Sequence, residues 1–350
     1  MPTTVSDWMN VSLRTESQLV EFQVKYFFKH HAKGLLRLAT DQREHITFPT
    51  AMNNLEVFRW LLDVQAIWPI DETQGTPLTA REATAQWANG KEAQHALNLL
   101  TAEERAKVLR FYRPNDAKLS LGSCLLKHRA ITSKCRVSWS EVIISEDSNR
   151  KPCYKPPKPD GQPLEFNVSH HGTLVALVGC RGNEVKLGVD IVRMNWDKDY
   201  ATVMREGFQV WANTYEAVFS KREIKDIADY VAPKHVDPQE MIKSKLRHFY
   251  AHWCLKEAYV KMTGEALLAS WLKDLEFRNV QVPSPSAQKA NDWGQTCGNV
   301  EIWFHGNRVN DVQLEIQAFR DDYMIATASS SVDSSLSAFK ELDLDKDVYP

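Results

Sequence analysis

The sequence predicts an α+β fold made of two similar halves, each with a small antiparallel sheet packed on helices. Helix–strand order over residues 93–180 recurs in outline after 186. The chain then finishes as short alternating strands at 275–282, 299–305, 312–319 and 323–328, separated by polar loops. With 350 residues and 43% hydrophobic content there is ample material for a packed core.

Residues 1–54 are mixed polar and aromatic, with an amphipathic run from Leu19 to Phe28, and form an N-terminal extension without an assigned role. Glu56 to Gln65, rich in aromatic and branched side chains between Asn54 and Pro69, suits a strand that opens the first half, 55–184. A helix ends near Leu100, and Thr101-Ala102-Glu103-Glu104 reads as the cap of the next, which Pro114 breaks. Asp116 to Lys134 spaces Leu119, Leu121, Leu125, Leu126 and Ile131 as a long helix would. Val137 to Ser145 alternates like a strand, and 152–163 is a proline-rich loop. Two strands flank a His171-Gly172 turn, and Lys186 to Val192 makes another, buried one. The second half, 185–328, has a helical middle, in which Ser220-Lys221-Arg222-Glu223 has capping-box spacing and so reads as a helix start rather than a site. Residues 283–298 form a surface insertion, and 329–350 are a Ser- and Asp-rich tail expected to be disordered.

Forty-three basic against 45 acidic side chains leave no global field for nucleic acid or an acidic membrane, so an anionic ligand needs a local cluster. The six cysteines include no C-x-x-C pair and read as reduced thiols rather than a disulfide framework or zinc site. No secretory leader and no membrane-length apolar run are seen, so the expectation is a cytoplasmic protein.

Asp190 closes the apolar run Leu187-Gly188-Val189, where a carboxylate is costly unless it meets a cation or several donors. Taken alone, a capping or turn aspartate is the better reading, but Glu257 supplies a second hard oxygen ligand of the kind that holds magnesium beside phosphate. Helix spacing sets Trp253, Glu257 and Lys261 four apart with Lys256 beside them, so all four are expected on one side. Ser169 and His170, just before a Gly172 turn, offer two donors to a phosphate. Nothing places an acid to complete a hydrolase triad.

The runs Phe166-Asn167-Val168-Ser169-His170, Gly188-Val189-Asp190-Ile191 and Trp253-Cys254-Leu255-Lys256-Glu257 through Lys261 occur in that order. Arg110-Phe111-Tyr112, Asp116-Ala117-Lys118 and Arg150-Lys151-Pro152 lie upstream, and Phe219-Ser220-Lys221-Arg222-Glu223 lies between the last two runs. From about Trp60 to Ala328 the chain thereby resembles the 4′-phosphopantetheinyl transferases of the large surfactin-synthetase-activator type, closest to broad-specificity fungal members. The resemblance implies a pseudo-twofold α+β monomer that binds coenzyme A and Mg²⁺ between its halves. It implies transfer of the phosphopantetheine arm to a serine of apo acyl, peptidyl or aryl carrier proteins, with release of adenosine 3′,5′-bisphosphate. The carriers would belong to fatty acid, polyketide or nonribosomal peptide synthases or to aminoadipate reductase. By resemblance Asp190 and Glu257 are metal ligands, Glu257 also a base, and Lys256 and Lys261 hold the pyrophosphate. Ser169, His170, Lys107 and Ser120 contact coenzyme A phosphates, Lys151-Pro152 lines the adenine, and Trp253 faces the same ligand.

Two positions depart from the family pattern. Val192 stands where bacterial relatives often have a further acid, and Ala266 where many have a second glycine. A coenzyme A-dependent acyltransferase would need no acidic pair. A carrier-binding module without catalysis would not need Asp190, Lys256, Glu257 and Lys261 together.

Overall fold

The computed structural model describes residues 55–69, 79–147, 151–156, 161–194, 196–231, 237–265, 271–288 and 292–350. The extension 1–54, Arg150 and Ala266 lie outside them. Strand β1 (Glu56–Asp63) precedes helices α1 (Ala80–Ala88), α2 (Lys91–Asn98), α3 (Ala102–Leu109) and α4 (Pro114–Cys135). Then come β2 (Ile144–Glu146), β3 (Pro152–Tyr154), β4 (Leu164–His171), β5 (Leu174–Arg181) and β6 (Leu187–Arg193). Helices α5 (Trp196–Glu206), α6 (Phe208–Asn213), α7 (Lys221–Ala228) and α8 (Pro238–Thr263) follow. The chain closes with β7 (Leu275–Arg278), β8 (Trp293–Cys297), β9 (Glu301–Phe304), β10 (Asn307–Val309), β11 (Gln313–Phe319), β12 (Tyr323–Ser329) and β13 (Ser335–Glu341).

Local chemistry starts the helices where the sequence suggests. Thr101 and Glu104 form a reciprocal capping box on α3, and Ser220 and Glu223 form another on α7. On α8 the Asp237 carboxylate accepts the N–H groups of Gln239 and Glu240, both at 2.9 Å, Pro238 takes the first turn, and Gly264 ends the helix at φ 79°.

Each long helix covers one sheet. Helix α4 buries Leu119, Leu121, Leu125 and Ile131 on the sheet ordered β13-β1-β5-β4-β3-β2. Helix α8 buries Ala251, Cys254, Leu255 and Ala258 on the sheet ordered β6-β12-β11-β8. A third sheet, β10-β9-β7, completes the mixed α+β architecture.

Four expectations are corrected. Residues 137–145 give only a short 3₁₀ turn at Trp139–Glu141 and the start of β2. Within 152–163 the residues Pro152–Tyr154 pair with β2. The insertion 283–298 contains β8, the edge strand on β11, so the closing strands form two sheets rather than one meander. The tail 329–350 is ordered, because β13 pairs in parallel with β1 and Leu344 and Val348 are buried. The last two segments draw their order from strands elsewhere in the chain, which local composition does not reveal.

His248 and His252 on α8 are both buried, 6% and 2% exposed, and His252 Nδ1 lies 2.9 Å from the His248 carbonyl. Burial pushes their pKa values down, to about 3 and about 4. Both stay neutral in the folded chain while the unfolded chain protonates below about pH 6.5. Stability is therefore full above that pH and falls by about 1.4 kcal/mol per pH unit per histidine down toward the folded values. Of the difference in urea-unfolding stability between pH 7 and 5, these two histidines are expected to contribute about 4 kcal/mol, and comparing the parent with His248→Phe should show about half of that contribution lost.

Candidate active site

The site lies on a seam between the two large sheets. Strand β6 is an edge strand whose one side is taken by β12. On its other side, side chains of β4 meet it in step. Glu165 Oε1 accepts the Leu187 N–H at 3.3 Å, Asn167 Oδ1 accepts the Val189 N–H at 2.9 Å, and His171 Nδ1 accepts the Arg193 N–H at 3.1 Å. Alternate residues of a strand share a face, so one side of β4 replaces a missing β-ladder. Between these rungs Ser169 Oγ donates to Asp190 Oδ1 at 3.0 Å.

Gly188 lets the helix approach. A Cβ there would lie 2.0 Å from the Ala258 carbonyl oxygen and 2.5 Å from the Met262 nitrogen. That close passage of α8 over β6 brings Glu257 and Lys261 to Asp190. Lys261 Nζ donates to Asp190 Oδ1 at 2.5 Å and to Ser169 Oγ at 2.8 Å. Glu257 accepts no hydrogen bond among the described residues. Burial, and next the Asp190 carboxylate, push its pKa up to about 8 against the pull of Lys261. For Lys261 burial opposes the charge, but Asp190 and Glu257 outweigh it and hold the ammonium above the ordinary lysine range. Two carboxylates thus crowd one ammonium.

That excess of acid, in hard oxygen donors from a strand and a helix, fits a divalent cation. Among the described residues no group of three or more His, Cys, Asp or Glu is placed to hold a metal, consistent with valine at 192. Val192 is 3% exposed and belongs to the core with Cys254, Leu255 and Met324, so it offers no opening for a further ligand. Val192→Glu is expected to bury an unpaired carboxylate at a cost of several kcal/mol and to melt well below the parent in a thermal scan.

The remaining residues are placed differently. Lys256 does not join Glu257. Adjacent helical residues diverge by about 100°, and this one turns into the core, fully buried against Glu223 Oε2 at 2.7 Å. Its ammonium also donates to the carbonyls of Val218, Leu272 and Leu275. Trp253 packs among Tyr215, Phe219 and Phe249. The Lys151 ammonium is committed to Glu165 Oε1 at 2.6 Å and the Leu187 carbonyl at 3.1 Å, inside the seam. Lys107 lies on the exposed face of α3, paired with Glu103 at 2.9 Å.

A cleft of about 130 Å³ opens between α4 and β4, lined by Ser123, Lys127, Pro152, Phe166, Asn167 and His170 among others. Ser120 sits one turn before Ser123 on α4. His170 stands exposed at the strand end, where the protein packed behind its ring and then the Lys261 ammonium push its pKa down. Sequence reasoning passed over Glu165, Asn167 and Lys127. The alternation of Glu165, Asn167, Ser169 and His171 with the apolar Leu164, Phe166 and Val168 was the available signal.

Two family models match adjacent stretches. One, described as 4'-phosphopantetheinyl transferase, N-terminal, covers residues 85–182, and the 4'-phosphopantetheinyl transferase superfamily covers 186–328. The chain is 33% identical to a 4'-phosphopantetheinyl transferase of Aureobasidium melanogenum over 85% of its length and 98% of the relative's. It is 34% identical to 4'-phosphopantetheinyl transferase 1 of Fusarium mangiferae over 85% and 95%. A more distant relative, 26% identical over 61% of this chain and 70% of its own, is the L-aminoadipate-semialdehyde dehydrogenase-phosphopantetheinyl transferase of Schizosaccharomyces pombe. By both measures, matched domains along most of the described chain and near full-length fungal relatives, the chain belongs to the 4'-phosphopantetheinyl transferases.

Proposed function

We propose that this transferase, which moves the phosphopantetheine arm of coenzyme A onto carrier proteins, works through Asp190, Glu257 and Lys261. The observation that carries the reading is the cluster itself: two carboxylates on facing elements, one ammonium bridging Asp190 to Ser169, and Glu257 without a hydrogen bond among the described residues. Asp190 and Glu257 would hold Mg²⁺, which when bound neutralises charge on the diphosphate of coenzyme A. Lys261 binds the same diphosphate and steadies the departing charge. Glu257 takes the proton of the carrier serine as its hydroxyl oxygen forms the new bond to phosphorus. The bond to the leaving adenosine 3′,5′-bisphosphate breaks in the same displacement. Ser169 and His170 orient the phosphates, and the cleft beside Pro152 and Ser120 receives the nucleotide end. Lys256 is withdrawn from this list, and Lys107 and Trp253 have no contact that supports a role.

The two halves, 55–184 and 185–328, contribute β4 and the β6–α8 pair respectively. Six free cysteines support a reducing, cytoplasmic setting. No helix of the described residues is long and apolar enough to cross a membrane. We take the enzyme as a monomer. The relative named for L-aminoadipate-semialdehyde dehydrogenase supports that enzyme's carrier domain as one substrate, beside carriers of fatty acid, polyketide and nonribosomal peptide synthases. Incubation with coenzyme A, Mg²⁺ and an apo-carrier, read by intact mass, should show one added arm on the carrier. Carrier binding without that mass gain would favour a non-catalytic module instead.

A further inference from the structure

Asp190 belongs to an edge strand held from one side by backbone and from the other by side chains. On the side away from β12 its position depends on the nearest side-chain rung. Glu165 and His171 grip β6 three residues away on either side, at Leu187 and Arg193, whereas Asn167 grips the N–H of Val189, directly preceding Asp190. Asn167 is 7% exposed, its bond is the shortest of these three rungs at 2.9 Å, and it also lines the cleft with Pro152 and His170. Asp190 Oδ1 must meet Lys261 at 2.5 Å and Ser169 at 3.0 Å while facing Glu257, which tolerates little sliding of the strand.

We propose that Asn167 is a positioning residue for the metal carboxylate: by holding the Val189 N–H it fixes the strand edge that aims Asp190 at Glu257. The inference rests on the reading that Asp190 and Glu257 hold a divalent cation. Groups that orient a ligand without touching the metal commonly change its affinity by about 10–100-fold when removed.

The test is Mn²⁺ titrated into the metal-free full-length protein, with and without coenzyme A, followed by the electron paramagnetic resonance of the free ion. Asn167→Leu, similar in size but lacking the acceptor, should weaken Mn²⁺ binding at least about tenfold. Asn167→Asp, which keeps an oxygen at the Val189 N–H, should stay within about threefold of the parent. Leu126→Val, on the buried side of α4, should lower the melting temperature and leave Mn²⁺ affinity unchanged. If Asn167→Leu does not fold, Asn167→Val, whose branched side chain suits a strand, replaces it. Unchanged affinity in the acceptor-less variant, failure of Asn167→Asp to restore it, or an equal loss in Leu126→Val would each overturn the proposal. Asp190→Ala in the same titration separates the two levels. Parent-like Mn²⁺ binding there removes the cation reading itself, whereas loss there with none in Asn167→Leu removes only the positioning role.

Discussion

Asp190→Ala and Glu257→Ala each lose transfer, with kcat/KM reduced by at least roughly 10²–10³ while the protein stays folded. The fold survives because both acids serve a ligand. Glu257 accepts no hydrogen bond among the described residues, and removing either carboxylate relieves the crowding that, second to burial, pushes Glu257 up to about 8. Glu257→Ala should therefore melt at or slightly above the parent temperature even as activity disappears, the pattern of a site strained for function. Intact-mass assays across a magnesium series, with melting curves on the same preparations, measure both effects. Full transfer by either variant at limiting magnesium would sink its assignment as a ligand.

Lys256→Met has the opposite signature. Removing one partner of a buried ion pair costs about 3–5 kcal/mol, because the other charge is left in the core. Glu223 would keep only the N–H donors of Ser220 and Phe277, and three carbonyls would lose their shared donor. The double variant Lys256→Met with Glu223→Leu should recover part of the loss, since no bare charge remains, though those two N–H groups then lack an acceptor. Urea titrations give the stabilities. Turnover per folded molecule and coenzyme A affinity should stay near the parent values. A stable Lys256→Met protein with weakened coenzyme A binding would instead return this lysine to the ligand.

What the sequence disclosed and what it hid follow from the range of the interactions. Capping boxes at Thr101–Glu104 and Ser220–Glu223 are complete within four residues, and both are read from letters alone. The four-residue step from Glu257 to Lys261 likewise carries its own geometry, and the structure brings both to Asp190. Lys256 was misplaced because spacing gives relative angles but not which angle faces the core. Glu223, read only as a cap, turned out to hold Lys256 as well, a contact spanning two helices. Strand β13 was missed since it is polar along most of its length and pairs with β1 at the other end of the described chain, and β8 because its five residues show no apolar–polar alternation.

The parallel pairing of β13 with β1 bears on how the polypeptide is made. During translation β1 leaves the ribosome among the first described segments, and β5 can cover one of its edges partway through synthesis. The other edge has to wait until Ser335–Glu341 emerge, more than 270 residues after β1. At about 5–20 residues per second that wait lasts tens of seconds, during which an unpaired strand is open to the wrong neighbour. A stop codon upstream of β13 would make the exposure permanent, so a shortened message should yield insoluble protein although every residue of the carboxylate site has been synthesised.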